Sequence, residues 1–234
     1  MIGNKKFSLE FLNRVFKSKP GFRVAPYRVY SSAEEFREEH FPPKTPRLLI
    51  RTNLDLPNVP RSAYVSLPRT DSTLESAQKD LRGLNAEWRE LVQEHELLMG
   101  LDEHLEFIVH PTQKREDFLF HGIIVFLPSE GIPIPFIVFD KEMSVYSIPD
   151  SGQLPLTHKA KILKFLSSIK VPPKHADNLH ALFLKAFKEI TSKGKQENLI
   201  TKNSSFTAKF TLLKSELEKK PKDAKLEFYD FQYS

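Results

Sequence analysis

The 234-residue sequence contains no cysteine. This absence excludes disulfide bonds, thiolate metal sites and a cysteine nucleophile, and it fits a reducing compartment. Glycine is scarce, with 8 residues, and no glycine-rich phosphate loop is visible. No apolar run approaches the roughly 20 residues that a membrane span needs, and no apolar stretch of signal-peptide length follows the first lysines. We therefore expect a cytoplasmic protein with no membrane partner.

Arginine is missing from residues 151–234, which hold 16 lysines and 8 acids. The first 150 residues hold the other 19 basic residues against 22 acids. Basic segments often meet nucleic acid or acidic partners. Nucleic-acid grooves, however, usually mix arginine and aromatic side chains among their lysines. The lysines are therefore more typical of solvated helix faces, and nucleic-acid binding remains an alternative.

The first half of the chain alternates between helix and strand patterns. Apolar side chains recur at helical spacing in residues 7–17 and 72–98. An N-cap pattern with acids in the first turn predicts a short helix at residues 31–40. Short apolar segments predict strands at residues 22–30, 48–52 and 62–67. We expect these elements to form an N-terminal α+β lobe over residues 1–104.

The second half is rich in strands. Four apolar segments with short turns between them predict an antiparallel meander at residues 105–110, 118–126, 134–139 and 144–148. Two helices are expected to follow at residues 157–169 and 173–192, and two last strands at 206–213 and 226–233. Residues 105–234 are thus expected to form a C-terminal lobe.

The order of short motifs points to a family. Gly3-Asn4-Lys5 precedes the first helix, Gly21-Phe22-Arg23-Val24-Ala25-Pro26 leads into a strand, and Arg51 ends the next buried strand. This order resembles the opening of the ATP-grasp domain of phosphoenolpyruvate synthases and pyruvate phosphate dikinases. The last segment, Leu226 to Tyr233, is a looser match to the strands that close that domain. The resemblance implies a two-lobed α+β fold with a central, mostly antiparallel sheet and flanking helices.

The resemblance also implies a function. A stand-alone ATP-grasp-like protein would bind Mg-ATP between two lobes and could pass a phosphoryl group to an acceptor that the sequence does not identify. Lys5 and Arg51 would contact the phosphates, with Lys6 as the alternative lysine. The expected magnesium ligands are Glu227, Asp230 and Gln232, because Mg²⁺ prefers oxygen ligands. Strand periodicity places Asp230 and Gln232 on one face and excludes Glu227 from it. No residue is assigned a catalytic role.

The sequence departs from the family in ways that support a second function. Lys209 stands on a strand where the family has an acid, and the glycine-rich loop is missing. These departures favour a non-catalytic interaction protein that binds a protein partner or nucleic acid through its basic C-terminal half. Four arginines, at positions 47, 51, 61 and 69, would suit a polyphosphate or a nucleic-acid backbone equally well.

The candidate residues also have purely structural interpretations. Lys5 could be a solvated terminal charge. Arg51 could pair with Asp55 or with an acid of the long helix, and Glu227 and Asp230 could face solvent. Single histidines on apolar strands, such as those at 110 and 121, more often have structural roles.

Overall fold

The structure is a computed structural model that describes residues 5–42, 45, 47–56, 67–94, 98–113, 115–128, 131–140, 153–201 and 203–233. Its helices are α1 (Lys5–Phe16), α2 (Ala77–Glu94), α3 (Lys159–Ser168) and α4 (Pro173–Gln196). The strands of the first half are β1 (Phe22–Val24), β2 (Arg28–Tyr30), β3 (Arg47–Leu54), β4 (Pro68–Ser72) and β5 (Leu105–Thr112). The later strands are β6 (Phe118–Leu127), β7 (Ile132–Asp140), β8 (Leu154–Pro155), β9 (Phe206–Leu213) and β10 (Leu226–Tyr233).

The ten strands form two sheets. One has six strands in the order β1-β10-β9-β6-β7-β8, and the other has four in the order β2-β5-β3-β4. All pairings among the described strands are antiparallel except that of β1 with β10. The predicted α+β class, with mostly antiparallel strands and flanking helices, is confirmed. Among the described helices, none is both long and apolar enough to cross a membrane.

The chain divides into two compact units. The first unit contains Met1–Phe7 and Ala25–Arg115, and the second contains Ser8–Val24 and Glu116–Ser234. These bounds differ from the expected division after residue 104. The reason is strand pairing: β5 pairs with β3 and β2 in the first unit, whereas β1 pairs with β10 in the second.

The core of the first unit lies between α2 and the four-stranded sheet. Leu81 and Leu84 of α2 share a buried cluster with Ile50 and Phe107 of the sheet. The helix begins later than predicted because residues 68–72 form β4. In the turn that precedes the helix, the backbone amide of Ser76 donates a hydrogen bond to the Thr73 hydroxyl at 3.1 Å, as in a helix cap.

Two other expectations for this region were wrong. Residues 22–30 were expected to form one strand, but β1 and β2 belong to different sheets and are separated by residues 25–27. Pro26 lies at this break, and it has no amide hydrogen to donate to a sheet. Residues 31–40 form two short 3₁₀ turns instead of an α-helix. The strand predicted at 62–67 falls outside the described residues except for its last position.

The second unit has a core of aromatic side chains. Phe11 and Phe16 of α1 pack on Phe231 and Phe228 of β10, with ring centroids 4.3 and 4.5 Å apart. The predictions of α1, α3, α4, β9 and β10 are confirmed within a few residues at each end. Helical and strand periodicity therefore located the elements of this unit.

The predicted meander is present only in part. β6 and β7 form a hairpin, but β5 lies in the other sheet and β9 occupies the second edge of β6. The strand predicted at residues 144–148 lies outside the described residues. Apolar patterns locate strands, whereas sheet membership depends on pairing between distant segments.

Gly122 of β6 provides a test of the packing in the second unit. It lies opposite Phe210 of β9, and a Cβ atom at this position would meet the Phe210 ring. That ring also packs against Phe183 and Phe228, with centroids 5.5 and 5.3 Å away. The ring therefore has little room to move.

We expect Gly122→Ala to lower the free energy of unfolding by about 1–3 kcal/mol, because overpacking displaces the ring. The control is Gly83→Ala on α2, where an added Cβ would have no atom within 4 Å. This control should stabilise the protein by about 0.5–1 kcal/mol, since alanine favours helices over glycine. Urea unfolding followed by circular dichroism measures both changes, and effects of the same sign would contradict the packing argument.

Candidate functional site

The first unit presents a polar sheet face on the side opposite α2. Leu48 and Ile50 of β3 belong to the cluster that packs on α2. Because strand side chains alternate, Arg51 and Asn53 point to the other side. Asn53 lies opposite Glu106 on β5. We call this side, with Arg51, Asn53, Glu106 and His110, the Arg51 face.

Asn53 anchors the start of α1. Its side chain is fully buried, and its Oδ1 atom accepts hydrogen bonds from the backbone amides of Lys5 at 2.9 Å and Lys6 at 3.4 Å. Helix α1 has no acid in its first turn, so an amide from β3 takes the usual place of a local cap. Lys5 was expected in a Gly-x-Lys turn, but it is the first residue of the helix; residues 3 and 4 lie outside the described part.

The ammonium group of Lys6 is neutralised by two acids. Its Nζ atom lies 2.9 Å from Oε1 of Glu106 and 3.2 Å from Oδ2 of Asp55. Burial lowers the pKa of Lys6, but the hydrogen bonds to Glu106 and Asp55 outweigh it, so the pKa is raised above its ordinary value. The charge of Lys6 is therefore committed to this cluster.

Arg51 stands apart from the other basic residues of this region. It is half-buried, and within the described part of the chain its buried Nε atom has no hydrogen-bond partner. Arg47 pairs with Asp71 at 2.6 Å, and Arg69 pairs with Glu87 of α2. Arg61 lies outside the described residues.

The expected structural partners of Arg51 are engaged elsewhere. Asp55 binds Lys6, and among the described residues no acid forms an ion pair with Arg51. A buried N–H without a partner costs about 1–3 kcal/mol. Arg51 is thus a cationic side chain whose hydrogen-bonding capacity is unused within the described chain.

His110 fits the structural interpretation. Its ring is buried, and its Nδ1 atom lies 3.2 Å from the carbonyl oxygen of Pro26. The side chain thus holds the segment between β1 and β2 against β5. We assign it no chemical role.

The second unit has a polar sheet face of its own. Thr207, Lys209 and Thr211 alternate along β9, and they lie opposite Gln232, Asp230 and Glu227 of β10. We call these six residues the Lys209 face. The opposite side carries the phenylalanines of the core, including Phe210 and Phe228.

A β-bulge determines which residues of β10 lie on the Lys209 face. The pairing register shifts between Phe228 and Asp230, so Tyr229 is the additional residue on β10. Strict alternation would exclude Glu227 from the side of Asp230 and Gln232, but a bulge reverses the alternation. The exclusion of Glu227 was therefore wrong, and all three expected metal ligands share one face.

Asp230 is the centre of the contacts on the Lys209 face. Its Oδ2 atom lies 3.6 Å from Nζ of Lys209 and accepts a hydrogen bond of 2.9 Å from Nε2 of Gln232. Its Oδ1 atom accepts one of 3.4 Å from the Ser8 hydroxyl, which in turn accepts from the backbone amide of Phe231. Lys209 and Asp230 are both buried, and a buried charge requires such partners.

Glu227 has a different partner. Its Oε2 atom lies 2.6 Å from Nε of Arg23, and Nη1 of the same arginine lies 3.1 Å from Glu216, which is 1% exposed. Glu216 also accepts hydrogen bonds from the Lys219 ammonium and the backbone amide of Lys225. Arg23 therefore links β1, β10 and the buried carboxylate of Glu216 within the second unit.

The expected metal ligands, as arranged, do not suit a magnesium ion. Asp230 has an ammonium group beside it and Glu227 has a guanidinium group, so two fixed cations already neutralise these acids. Among the described residues, no group of three or more histidine or acidic side chains could hold a metal ion. Magnesium also requires near-ideal octahedral oxygen coordination.

Comparison with known proteins shows a similarity in fold. No protein-family model matches the chain, and no curated protein does. Among solved structures, ACD1 of Ca. Korarchaeum cryptofilum in complex with coenzyme A is similar with a TM-score of 0.54 at 10% identity. The match covers 97% of this chain and 89% of that one. At this identity the likeness concerns the fold alone.

Two ligases are similar over part of their length. D-alanine–D-alanine ligase of Helicobacter pylori gives a TM-score of 0.41 at 8% identity, covering 98% of this chain and 50% of that one. Phosphoribosylamine–glycine ligase of Thermotoga maritima gives a TM-score of 0.45 at 16% identity, and the match covers 96% of this chain and 46% of that one. The chain thus spans about half the length of these ligases. None of the three is a phosphoenolpyruvate synthase or a pyruvate phosphate dikinase, so that narrower resemblance stays a prediction.

The structural roles of two residues that shape these faces were not predicted from the sequence. Asn53 follows Arg51 by two positions on an apolar strand, and an amide at such a position is a recognisable signal for a buried hydrogen-bonding role. Ser8 gave no signal, because a serine within a helix pattern is usually solvent-facing. Lys209 was noticed only as a departure from the family.

The role of Asn53 leads to a prediction. Asn53→Ala removes the acceptor of two amides at the start of α1, and we expect it to lower the free energy of unfolding by about 1–2 kcal/mol. Amide hydrogen exchange at Lys5 and Lys6 should accelerate. The exposed Asn203 supplies the control variant, Asn203→Ala, which should change neither quantity. Unchanged exchange at both lysines in Asn53→Ala would contradict the anchoring role.

Proposed function

We propose that this protein is an ATP-grasp-like protein that binds ATP, and that Arg51 and Lys5 contact the phosphates. The observation that carries the proposal is the buried Nε atom of Arg51, which has no partner in the described chain. A phosphate would supply the missing acceptors. The order of motifs at the start of the sequence supports the same ligand.

The chemistry of Arg51 suits a polyphosphate. A guanidinium group is planar, stays charged and can donate two parallel hydrogen bonds to phosphate oxygens. Arg51 lies within β3, which pairs with β4 on one side and β5 on the other. A side chain on a rigid, doubly paired strand is held closer to a productive geometry than one on a loop.

Lys5 supports the proposal less directly. Its backbone is fixed to Asn53, two positions after Arg51 on the same face of β3. It also begins a helix, whose N-terminal end favours negative charge. In this proposal the compact positive charge of Lys5 contacts the phosphates together with Arg51.

The structure of ACD1, which has a similar fold, was determined with coenzyme A. Coenzyme A includes an adenine nucleotide with phosphates, so it belongs to the class of ligand proposed here. Phosphoryl transfer to an acceptor is the further step that the resemblance implies, and such transfer depends mainly on positioning and electrostatics. The acceptor and the cytoplasmic location remain predictions.

The alternative function, binding of a protein or nucleic acid through the basic C-terminal half, has weaker support. Several of its lysines have acidic partners: Lys159 lies 2.7 Å from Asp177, and Lys193 lies 3.3 Å from Glu197. Arg14 also binds Glu197 and lowers its pKa, with a further contribution from Lys193. These pairs reduce the positive charge that the second unit offers to a polyanion.

Thermal unfolding with added nucleotide tests the proposal. We expect ATP at 100 times its dissociation constant to stabilise the protein by about 2.7 kcal/mol. Arg51→Met keeps the apolar stem but removes the guanidinium group, so it should abolish this shift. Without ligand the variant should be at least as stable as the original protein, because it removes the unpaired buried N–H.

Arg47→Met is the matched control. Arg47 lies on the same strand, but it is exposed and pairs with Asp71, so its loss should leave the nucleotide shift unchanged. ADP and coenzyme A serve as further ligands, each with Mg²⁺ and with a chelator. The proposal is wrong if none of these nucleotides shifts the unfolding temperature, or if Arg51→Met retains the full shift. Filter binding of nucleic acid across a range of salt tests the alternative.

A further inference from the structure

The Lys209 face contains a fixed cation where a metal ion was expected. Lys209 lies directly opposite Asp230 in the strand register, and its Nζ atom is 3.6 Å from Oδ2. The lysine is 8% exposed and the aspartate 9%. Little of this ion pair is therefore in contact with solvent.

We propose that the ammonium group of Lys209 takes the place of a divalent cation among Glu227, Asp230 and Gln232, and that this protein binds its nucleotide without one. The first part stands on the contacts of the Lys209 face. The second part rests on the proposed function.

Both oxygen atoms of Asp230 are occupied by donors. Oδ2 receives the amide of Gln232 as well as the Lys209 ammonium, and Oδ1 receives the Ser8 hydroxyl. A metal ion bound to Asp230 would displace these donors. It would also lie within a few ångströms of a buried positive charge, and burial weakens the screening of that repulsion.

The remaining expected ligands are also committed. Gln232 directs its NH₂ group towards Asp230, whereas a metal requires the amide oxygen. Glu227 is held by Arg23, which must at the same time neutralise the almost fully buried Glu216. Moving Glu227 to a metal would leave one end of the Arg23 guanidinium without its acceptor.

The positive and negative charges on and beside the Lys209 face balance one another. Lys209 and Asp230 form a pair, and Arg23 and Lys219 neutralise Glu227 and Glu216. The acids of this cluster therefore have one basic side chain each before any ligand binds. A divalent cation would add two positive charges to a balanced set, which is unfavourable in a buried site.

A gain-of-function variant tests the first part directly. Lys209→Glu replaces the ammonium group with a third carboxylate on the same face, and we expect it to create a Mn²⁺ site. The full chain, without nucleotide, is titrated with Mn²⁺ and free ion is measured by electron paramagnetic resonance. The original protein should bind Mn²⁺ at least tenfold more weakly than Lys209→Glu.

Two variants control this measurement. Lys214→Glu makes the same charge change at an exposed lysine just after β9, and it should not create a site. Adding Asp230→Asn to Lys209→Glu should remove the gained affinity. If Lys209→Glu is unfolded by circular dichroism, Lys209→Gln takes its place, and Mn²⁺ should then raise its unfolding temperature but not that of the original protein.

The outcomes separate the two parts. The first part is overturned if the original protein binds Mn²⁺ and Asp230→Asn removes that binding. It is also overturned if a folded Lys209→Glu variant shows no gain in Mn²⁺ affinity, or if a folded Lys209→Gln variant shows no rise in unfolding temperature with Mn²⁺. A nucleotide shift that disappears with a chelator would overturn the second. The absence of any nucleotide shift would overturn the proposed function and, with it, the second part, while leaving the Mn²⁺ result valid.

Discussion

The pairing of β9 with β10 is the constraint on which the second unit depends. One side of this pair is covered by phenylalanines from α1 and α4, which bury the apolar face of the sheet. The bulge at Tyr229 then sets which polar side chains share the other side. Without it, Glu227 would point into the apolar core and would lose Arg23. One additional residue in a strand therefore fixes both the packing of the core and the charge balance of the Lys209 face.

The two units differ in how their buried and half-buried cations are partnered. In the second unit, Lys209 and Arg23 each lie beside a carboxylate, so the site is electrostatically complete. In the first unit, Lys6 is equally committed to Glu106 and Asp55, but the buried Nε atom of Arg51 has no hydrogen-bond partner among the residues that the structure describes. Proteins rarely leave such a group unsatisfied, and the exceptions concentrate where a ligand supplies the partner. The proposed nucleotide would therefore supply the partner of Arg51, whereas Lys209 is already paired with Asp230.

Local patterns in the sequence predicted where helices and strands lie better than they predicted which strands pair with each other. Helices α3 and α4 and strands β9 and β10 follow directly from periodicity and turn residues. The assignment of β1, β2 and β5 to sheets could not be predicted, because it depends on pairing between residues far apart in sequence. Residue type and position in the sequence indicated Arg51 as a candidate in the first unit and Asp230 as a candidate in the second. The bulge that brings Glu227 to the side of Asp230 and Gln232, and the binding of Lys6 to Glu106, arise from tertiary geometry alone.

The parallel pairing of β1 with β10 has a consequence for synthesis on the ribosome. Phe22 pairs with Leu226, so a strand made early must wait for more than 200 residues before its partner exists. The sheet of the first unit, by contrast, needs only residues 28–112. Domains generally fold as units while the chain grows, and long-range pairing is slow. The strands of the first sheet are therefore all made before β10, whereas β1 can pair only after residues 226–228 have been made.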